Sequence, residues 1–352
     1  MQSIDEVIIG RQGSAGLIRL NRPQALNSLT LPMIRAIAAA LADFAADPSI
    51  ASVIVKGEGD RAFCAGGDIR LLHESGKQGS SDAETFWREE FRLNHAIADY
   101  PKPYVALMDG ITMGGGVGLS SHGSHRVVTE RTRFAMPETG IGYFPDVGAT
   151  WLLPRAPGEA GTWMGLTGLA INAADAIHAR LADHRVASSD LSALIEAIGA
   201  LPVAASPADV HTVIAGMAVA AGESRLVANR DTIDRALAYD TVGEIQEALA
   251  QEAGDFAAET RQIISTRSPT SLKLTLRLLR AGRSSASLAE CLNRELGACM
   301  RILYNPDFYE GVRAAVIDKD RNPKWSPASL AEVAASDIDR FFVPARPPLF
   351  ET

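Results

Sequence analysis

Short apolar runs alternate with stretches of helical periodicity over the first two hundred positions. Val7-Ile8-Ile9 and Leu17-Ile18-Arg19-Leu20 predict two strands joined at a turn containing Gly13 and Gly16. Thr30 is placed to cap a helix whose apolar positions Ile34, Ile37, Ala38 and Leu41 recur at helical spacing. Ser52-Val53-Ile54-Val55 is a β-branched run of the kind that forms a strand buried on both faces. A further strand is predicted over 103–108, with shorter ones near 126–128 and 133–135. Strands alternating with helices predict an α/β domain.

Beyond about Leu201 the strand signal stops. Ser206-Pro207 pairs a cap with proline at the first helical position, ahead of the stripe Val210, Val213, Ile214, Met217. Thr241-Val242-Gly243-Glu244 reads as a capping box before Ile245 and Leu249. Ser268-Pro269 starts another helix with Leu272, Leu276 and Leu279 on one face. No repeat at solenoid periods is present. A boundary is therefore expected near residue 200, followed by helices to about Arg340.

Composition narrows the class. A chain of 352 residues with 47% hydrophobic and 22% charged positions is not disordered. It exceeds the roughly 250–300 residues of a single core, so one domain with an appended subdomain is expected. The formal net charge of −8 gives no electrostatic footprint for nucleic acid or an anionic membrane, and neither partner is expected. No apolar stretch approaches the roughly 18 residues of a membrane span. The three cysteines, Cys64, Cys291 and Cys299, are too few and too odd in number for a disulfide framework, and their spacing matches no zinc signature. Met1-Gln2-Ser3-Ile4-Asp5-Glu6 lacks the features of a signal or transit peptide. A cytoplasmic protein without a bound metal is expected.

Two glycine-rich turns follow predicted strands: Phe63-Cys64-Ala65-Gly66-Gly67-Asp68-Ile69, and Gly110-Ile111-Thr112-Met113-Gly114-Gly115-Gly116-Val117-Gly118. The second leads into an apolar helical run, whose first backbone N–H groups lack partners. Two such N–H groups from different loops can form an oxyanion hole. Tight turns alone are the other reading. The third glycine of a dinucleotide-binding G-x-G-x-x-G is missing, and no G-x-S-x-G nucleophile elbow is present. His122 and His125 lack the acid or cysteine company of a metal site.

Three acids stand in apolar surroundings. Glu138 follows a predicted strand in Phe134-Ala135-Met136-Pro137-Glu138-Thr139-Gly140, and Asp146 lies in Phe144-Pro145-Asp146-Val147-Gly148. Burial raises the pKa of such carboxyls into the range of a general acid or base. Alternatively, Glu138 pairs with an arginine and Asp146 caps a helix over 147–153. On the helix predicted around 84–99, Glu90 falls inside the apolar arc of Phe86, Trp87, Phe91, Leu93 and Ile97, where it must be paired, neutralised or functional. Lys273, Arg277 and Arg280 share one helix face, as a solvated basic surface or a phosphate contact.

Together these residues resemble the crotonase (enoyl-CoA hydratase/isomerase) superfamily. The likeness runs through Leu20-Asn21-Arg22-Pro23-Gln24-Ala25-Leu26-Asn27, Ala65-Gly66-Gly67-Asp68, Gly114-Gly115-Gly116 and Met136-Pro137-Glu138. Arg88-Glu89-Glu90, Ile111-Thr112-Met113-Gly114-Gly115-Gly116-Val117-Gly118 and Gly142-Tyr143-Phe144-Pro145-Asp146-Val147-Gly148 point to its 3-hydroxyacyl-CoA hydrolase branch, and Ser268-Pro269-Thr270-Ser271-Leu272-Lys273 and Phe308-Tyr309-Glu310-Gly311-Val312-Arg313-Ala314 carry the likeness to about Trp325. The resemblance implies a spiral of ββα units over 1–200, a helical insertion over 201–265 that typical hydratases lack, and a helical C-terminal region over 266–352. It implies that the amides of Gly67 and Gly115 hold a thioester oxygen, with Glu138 and Asp146 catalytic. Glu90, Glu138 and Asp146 would line the acyl pocket, and Ala25, Ala65, Gly66, Asp68 and Ile69 would touch CoA. CoA is then part of the substrate and no separate cofactor is implied; homo-oligomerisation stays open. Hydratases of the superfamily carry a second catalytic glutamate two residues after the glycine triplet, where this chain has Gly118. That departure favours hydrolysis of a 3-hydroxyacyl-CoA, such as 3-hydroxyisobutyryl-CoA in valine catabolism, over a hydratase or isomerase; a non-catalytic acyl-CoA-binding protein is the third alternative.

Overall fold

The first two apolar runs form strands β1 (Val7–Gln12) and β2 (Ala15–Leu20), which pair antiparallel across a tight turn at Gly13, whose φ of +56° suits glycine. The computed structural model describes residues 6–351; the reading made from Met1 to Asp5 lies outside them. The remaining strands are β3 (Ser52–Gly57), β4 (Ala62–Cys64), β5 (Tyr104–Met108), β6 (Ile111–Met113), β7 (His125–Val128), β8 (Arg133–Ala135) and β9 (His184–Arg185). They form a six-stranded sheet, β1-β2-β3-β5-β7-β9, and a three-stranded sheet, β4-β6-β8. From β2 onward the larger sheet is parallel.

Each successive strand pair, β3/β4, β5/β6 and β7/β8, places its first member in the large sheet and its second in the small one. Helices Ile69–Gln78 and Asp82–Ala98 follow the first pair, and helix Gly115–Ser120 follows the second. This is the expected spiral of ββα units. The β-branched run of β3 and all of β5 are buried, as strands covered on both faces must be.

Local signals in the sequence act as expected, with small shifts. Thr30 accepts the Met33 N–H and starts the helix Leu31–Ala46, which buries Met33, Ile34, Ile37, Ala40 and Leu41. Ala38 points to solvent, so the stripe passes through Ala40 instead. Ser206 and Asp209 make a reciprocal capping box on Pro207–Gly216. At Thr241 the box is half formed: Thr241 caps the Glu244 N–H, but the Glu244 carboxylate takes the Thr241 hydroxyl rather than a backbone donor. Ser268 caps Pro269–Ser284 and buries Leu272, Leu276 and Leu279.

The chain forms two compact units. One comprises the residues up to Gly67, Arg92–Phe134 and Ile171–Ser224; the other comprises Asp68–Phe91, Ala135–Ala170 and the residues from Arg225 onward. This division differs from one at residue 200, for two reasons of packing. Val210 and Ile214 of helix Pro207–Gly216 share a core with Ala15, Ile54, Val105 and Val127 of the large sheet, which keeps the segment to Ser224 with the first unit. The wholly buried helix Ala160–Thr167 belongs to the second unit, where Gly165 comes within van der Waals reach of Leu279 and Thr275 on Pro269–Ser284. Among the described residues no strand follows β9, and no helix is long and apolar enough to cross a membrane.

Gly116 tests how closely the repeating units pack. A Cβ there would stand 2.2 Å from the Cys64 carbonyl oxygen, a backbone atom held in β4. Gly116→Ala is expected to cost about 1–3 kcal/mol of stability through overpacking, read as a lower urea midpoint. An unchanged midpoint would contradict this close approach.

Candidate active site

In the first unit, the Asn21–Asn27 motif builds a pinned turn. Leu26 and Asn27 adopt left-handed φ of 53° and 57°. Asn27, fully buried, donates to the carbonyls of Glu58 and Ala62 at 2.9 Å each and accepts the Arg22 N–H. The turn in turn holds the first glycine loop: Ala65 N–H donates to Leu26 O at 3.0 Å, and Leu29 N–H to Gly66 O at 2.8 Å. Ala25, Ala65 and Gly66 are thereby gathered in one neighbourhood.

The second glycine loop lies against the first. β4 and β6 are parallel, with Cys64 opposite Thr112, and each is followed two residues later by glycine, Gly66 and Gly114. A Cβ on Gly66 would lie 3.8 Å from the Gly115 amide nitrogen and 3.5 Å from Met113 O. Gly114, at φ 49° and ψ −120°, turns the chain into the helix Gly115–Ser120, whose first amides have no partner within it. The structure thus brings the Gly67 and Gly115 loops together. Asp68 has a visible structural task, since its carboxylate caps the helix beginning at Ile69 by accepting the Leu71 N–H at 3.3 Å.

In the second unit, the three acids are buried: Glu90 is 3% exposed, Glu138 6% and Asp146 7%. Glu138 opens a 3₁₀ turn, Glu138–Ile141, after β8. Its Oε2 and the Oε1 of Glu90 have no hydrogen-bond partner. Among the described residues neither Glu138 nor Glu90 pairs with an arginine, and Asp146 caps no helix; the short helix Ala149–Leu152 starts from Gly148 without a side-chain cap. Instead Tyr143 donates its hydroxyl to Asp146 Oδ2 at 2.9 Å, and Cys299 Sγ stands 3.0 Å from the same hydroxyl. The Tyr143 ring stacks on Phe144 and Trp87 and meets Phe308.

This environment sets the charges. Burial pushes the Asp146 carboxyl up to about 7, against the opposing pull of the Tyr143 hydrogen bond. Burial, and then the nearby Asp146 charge, hold both Glu90 and Glu138 well above the ordinary glutamate value. Burial also raises Glu295, to about 8, although three protein donors reach its carboxylate.

Glu295, Cys299 and Tyr143 were not singled out from the sequence as site residues. A signal existed for the first two. Leu288, Cys291, Leu292, Glu295, Leu296, Cys299 and Ile302 recur at helical spacing and are all buried on the helix Leu288–Ile302, so Glu295 interrupts an apolar stripe just as Glu90 does. The basic face of Pro269–Ser284 is largely committed to the protein: Lys273 donates to Val333 O, Arg277 pairs with Asp339, and Arg280 reaches Asp240, Glu159, Thr162 and the carbonyls of Leu237 and Tyr239. These cations edge a cavity of about 420 Å³. His125 is packed, its ring nitrogens meeting Ser124 Oγ and Pro207 O.

The family model for enoyl-CoA hydratase/isomerase matches residues 15–342. The chain belongs to the enoyl-CoA hydratase/isomerase family. Proteins named 3-hydroxyisobutyryl-CoA hydrolase, mitochondrial, from Rattus norvegicus and Homo sapiens are 46% and 45% identical to it, each over 96% of this chain and 88% of the relative. A crystal structure of a carnitinyl-CoA dehydratase from Mycobacterium thermoresistibile is 41% identical with a TM-score of 0.93, over 99% of both chains. One of an enoyl-CoA hydratase from Rhodobacter sphaeroides 2.4.1 is 42% identical with a TM-score of 0.89, over 99% of this chain and 100% of that one. The expectation of a cytoplasmic protein is overturned by the hydrolase relatives, which are named mitochondrial. Three cysteines outside any disulfide speak for a reducing environment and do not distinguish one such compartment from another.

The buried acids should make stability fall as pH rises. Asp146 has its folded pKa raised, so the stability it contributes is complete below the ordinary value of 3.8 and is lost as pH rises through about 7. Asp146→Asn, which cannot ionise, should therefore lose less stability between pH 4 and pH 8 than the parent protein, by up to a few kcal/mol in urea unfolding. Equal losses in both proteins would contradict the assignment.

Proposed function

We propose that the protein hydrolyses 3-hydroxyisobutyryl-CoA, or a close 3-hydroxyacyl-CoA, to the free hydroxy acid and CoA, the reaction that valine catabolism requires. The observation that carries hydrolysis over hydration is Gly118. Adding water to a double bond uses two positioned carboxylates, and the place where hydratases of this superfamily hold the second is a buried glycine inside the helix Gly115–Ser120. The hydrolase names of relatives covering nearly the whole chain support the same choice.

In this reading the N–H groups of Gly67 and Gly115 donate to the thioester oxygen and take up the negative charge that develops on it. The ionised form of Glu138, which burial makes a stronger base, removes a proton from the attacking water. The tetrahedral intermediate then expels CoA thiolate and leaves the acid. Direct attack by Glu138, giving an anhydride that water opens, uses the same unpartnered Oε2; label found in Glu138 after a single turnover in ¹⁸O-water would identify the anhydride route. Asp146, oriented by Tyr143, accepts a hydrogen bond from the 3-hydroxyl of the substrate, and Glu90 lines the same acyl pocket.

The test is CoA thiol release over a panel of 3-hydroxyacyl-, enoyl- and saturated acyl-CoAs, run beside the loss of enoyl absorbance. Thiol release fastest on 3-hydroxyisobutyryl-CoA is expected. Loss of enoyl absorbance without thiol would make the protein a hydratase, and tight binding without turnover would make it an acyl-CoA carrier. Glu138→Gln keeps the shape and removes the base, with an expected loss of roughly 10²–10⁴-fold in kcat. Asp146→Ala should lower kcat/KM for 3-hydroxyisobutyryl-CoA more than for isobutyryl-CoA, closing a gap of about 1–3 kcal/mol. Equal fractional losses would remove Asp146 from recognition of the hydroxyl.

A further inference from the structure

The turn that carries Asp146 is held in an uncommon shape. Val147 has φ +53° and Gly148 φ +82°, two left-handed residues in succession, and for a β-branched valine that region is disfavoured. Such a conformation persists only where the surroundings over-determine it. One constraint on this turn is a carboxylate from elsewhere in the sequence. Glu295, fully buried on the helix Leu288–Ile302, accepts the Gly148 N–H at 2.8 Å, the Thr150 N–H at 3.0 Å and the Thr150 hydroxyl at 2.6 Å. It satisfies the first amides of the helix Ala149–Leu152, which has no local cap, and it does so immediately after Asp146. On the other side, Asp146 O accepts the Ala149 N–H at 2.8 Å and its carboxylate takes the Tyr143 hydroxyl.

We propose that Glu295 is a positioning residue for Asp146, its carboxylate locking the Val147-Gly148 turn and so fixing where the Asp146 carboxyl meets the substrate hydroxyl. The proposal rests on the reading of Asp146 given above. Glu295 itself is occupied by three protein donors and does not touch substrate. Glutamine at this position offers one acceptor oxygen and turns an amide N–H₂ toward a main-chain N–H, so one clamp becomes a repulsion while the volume stays constant.

A double-mutant cycle on the full chain tests this. Wild type, Glu295→Gln, Asp146→Ala and the double variant are compared by kcat/KM on 3-hydroxyisobutyryl-CoA and on isobutyryl-CoA. Glu295→Gln should reduce discrimination between the two substrates by about 5- to 50-fold in the wild-type background, and by less than about twofold beside Asp146→Ala, because groups acting through one network are not additive. A loss of the same size in both backgrounds, or an equal loss on both substrates, overturns the proposal and leaves Glu295 as a structural tie. If Asp146→Ala keeps wild-type discrimination, the hydroxyl reading falls instead, and the cycle is then scored on kcat/KM alone: coupling retains Glu295 as a positioning residue, and its absence removes it. Should Glu295→Gln fail to fold, Thr150→Val deletes one of the three contacts and Thr150→Ser restores it. Discrimination lowered by the valine and recovered by the serine supports the clamp, and discrimination unchanged by the valine contradicts it.

Discussion

Four carboxyl groups, Glu90, Glu138, Asp146 and Glu295, lie in the interior of one compact unit, and among the described residues none of them forms a salt bridge. Removing a carboxylate from water is costly unless it is paired or neutralised, so burial shifts all four toward the protonated form relative to solvent-exposed acids. Asp146 is the point on which the others converge. Its charge disfavours ionisation of Glu90, Glu138, Glu295 and Tyr143, and Tyr143 in turn supplies a hydrogen bond that favours the ionised form of Asp146. The rings of Tyr143, Phe144 and Trp87 stack and are themselves buried.

The placement of the two glycine loops follows from the repeat. Successive ββα units place equivalent strands side by side, so the loops that leave those strands also become neighbours. Because β4 and β6 are each followed by glycine at the same offset, one amide-bearing loop is laid on another, and Gly116 lets them close on Cys64. In the proposed reaction, amides on these two loops serve without dedicated side chains. Fixed backbone dipoles of this kind suit charge that develops on an attacked carbonyl oxygen, since they do not have to reorganise as the reaction proceeds.

Much of this was legible in the sequence where a local rule governs it. The caps at Thr30, Ser206 and Ser268, the strand runs and the inward face of Glu90 all follow from residue spacing, and the motif combination marked the family. What spacing could not supply was long-range placement. Nothing local says that Val210 and Ile214 dock on the large sheet, or that Glu295 reaches back to Gly148 across 147 positions. The same limit applied to the basic face at Lys273, Arg277 and Arg280, whose acceptors come from distant segments. Localisation was misread because composition reports redox conditions, not an address.

The central claim is that burial keeps several of these carboxyls protonated near neutral pH. Carboxyl ¹³C resonances of the Asp- and Glu-labelled protein, followed from pH 4 to pH 9 and assigned with Glu138→Gln, Asp146→Asn and Glu295→Gln, measure it directly. The account predicts that Asp146 titrates near 7, that Glu295 titrates near 8, and that Glu90 and Glu138 stay protonated well above the ordinary carboxyl range. Titration of all four between pH 4 and pH 5 would contradict it.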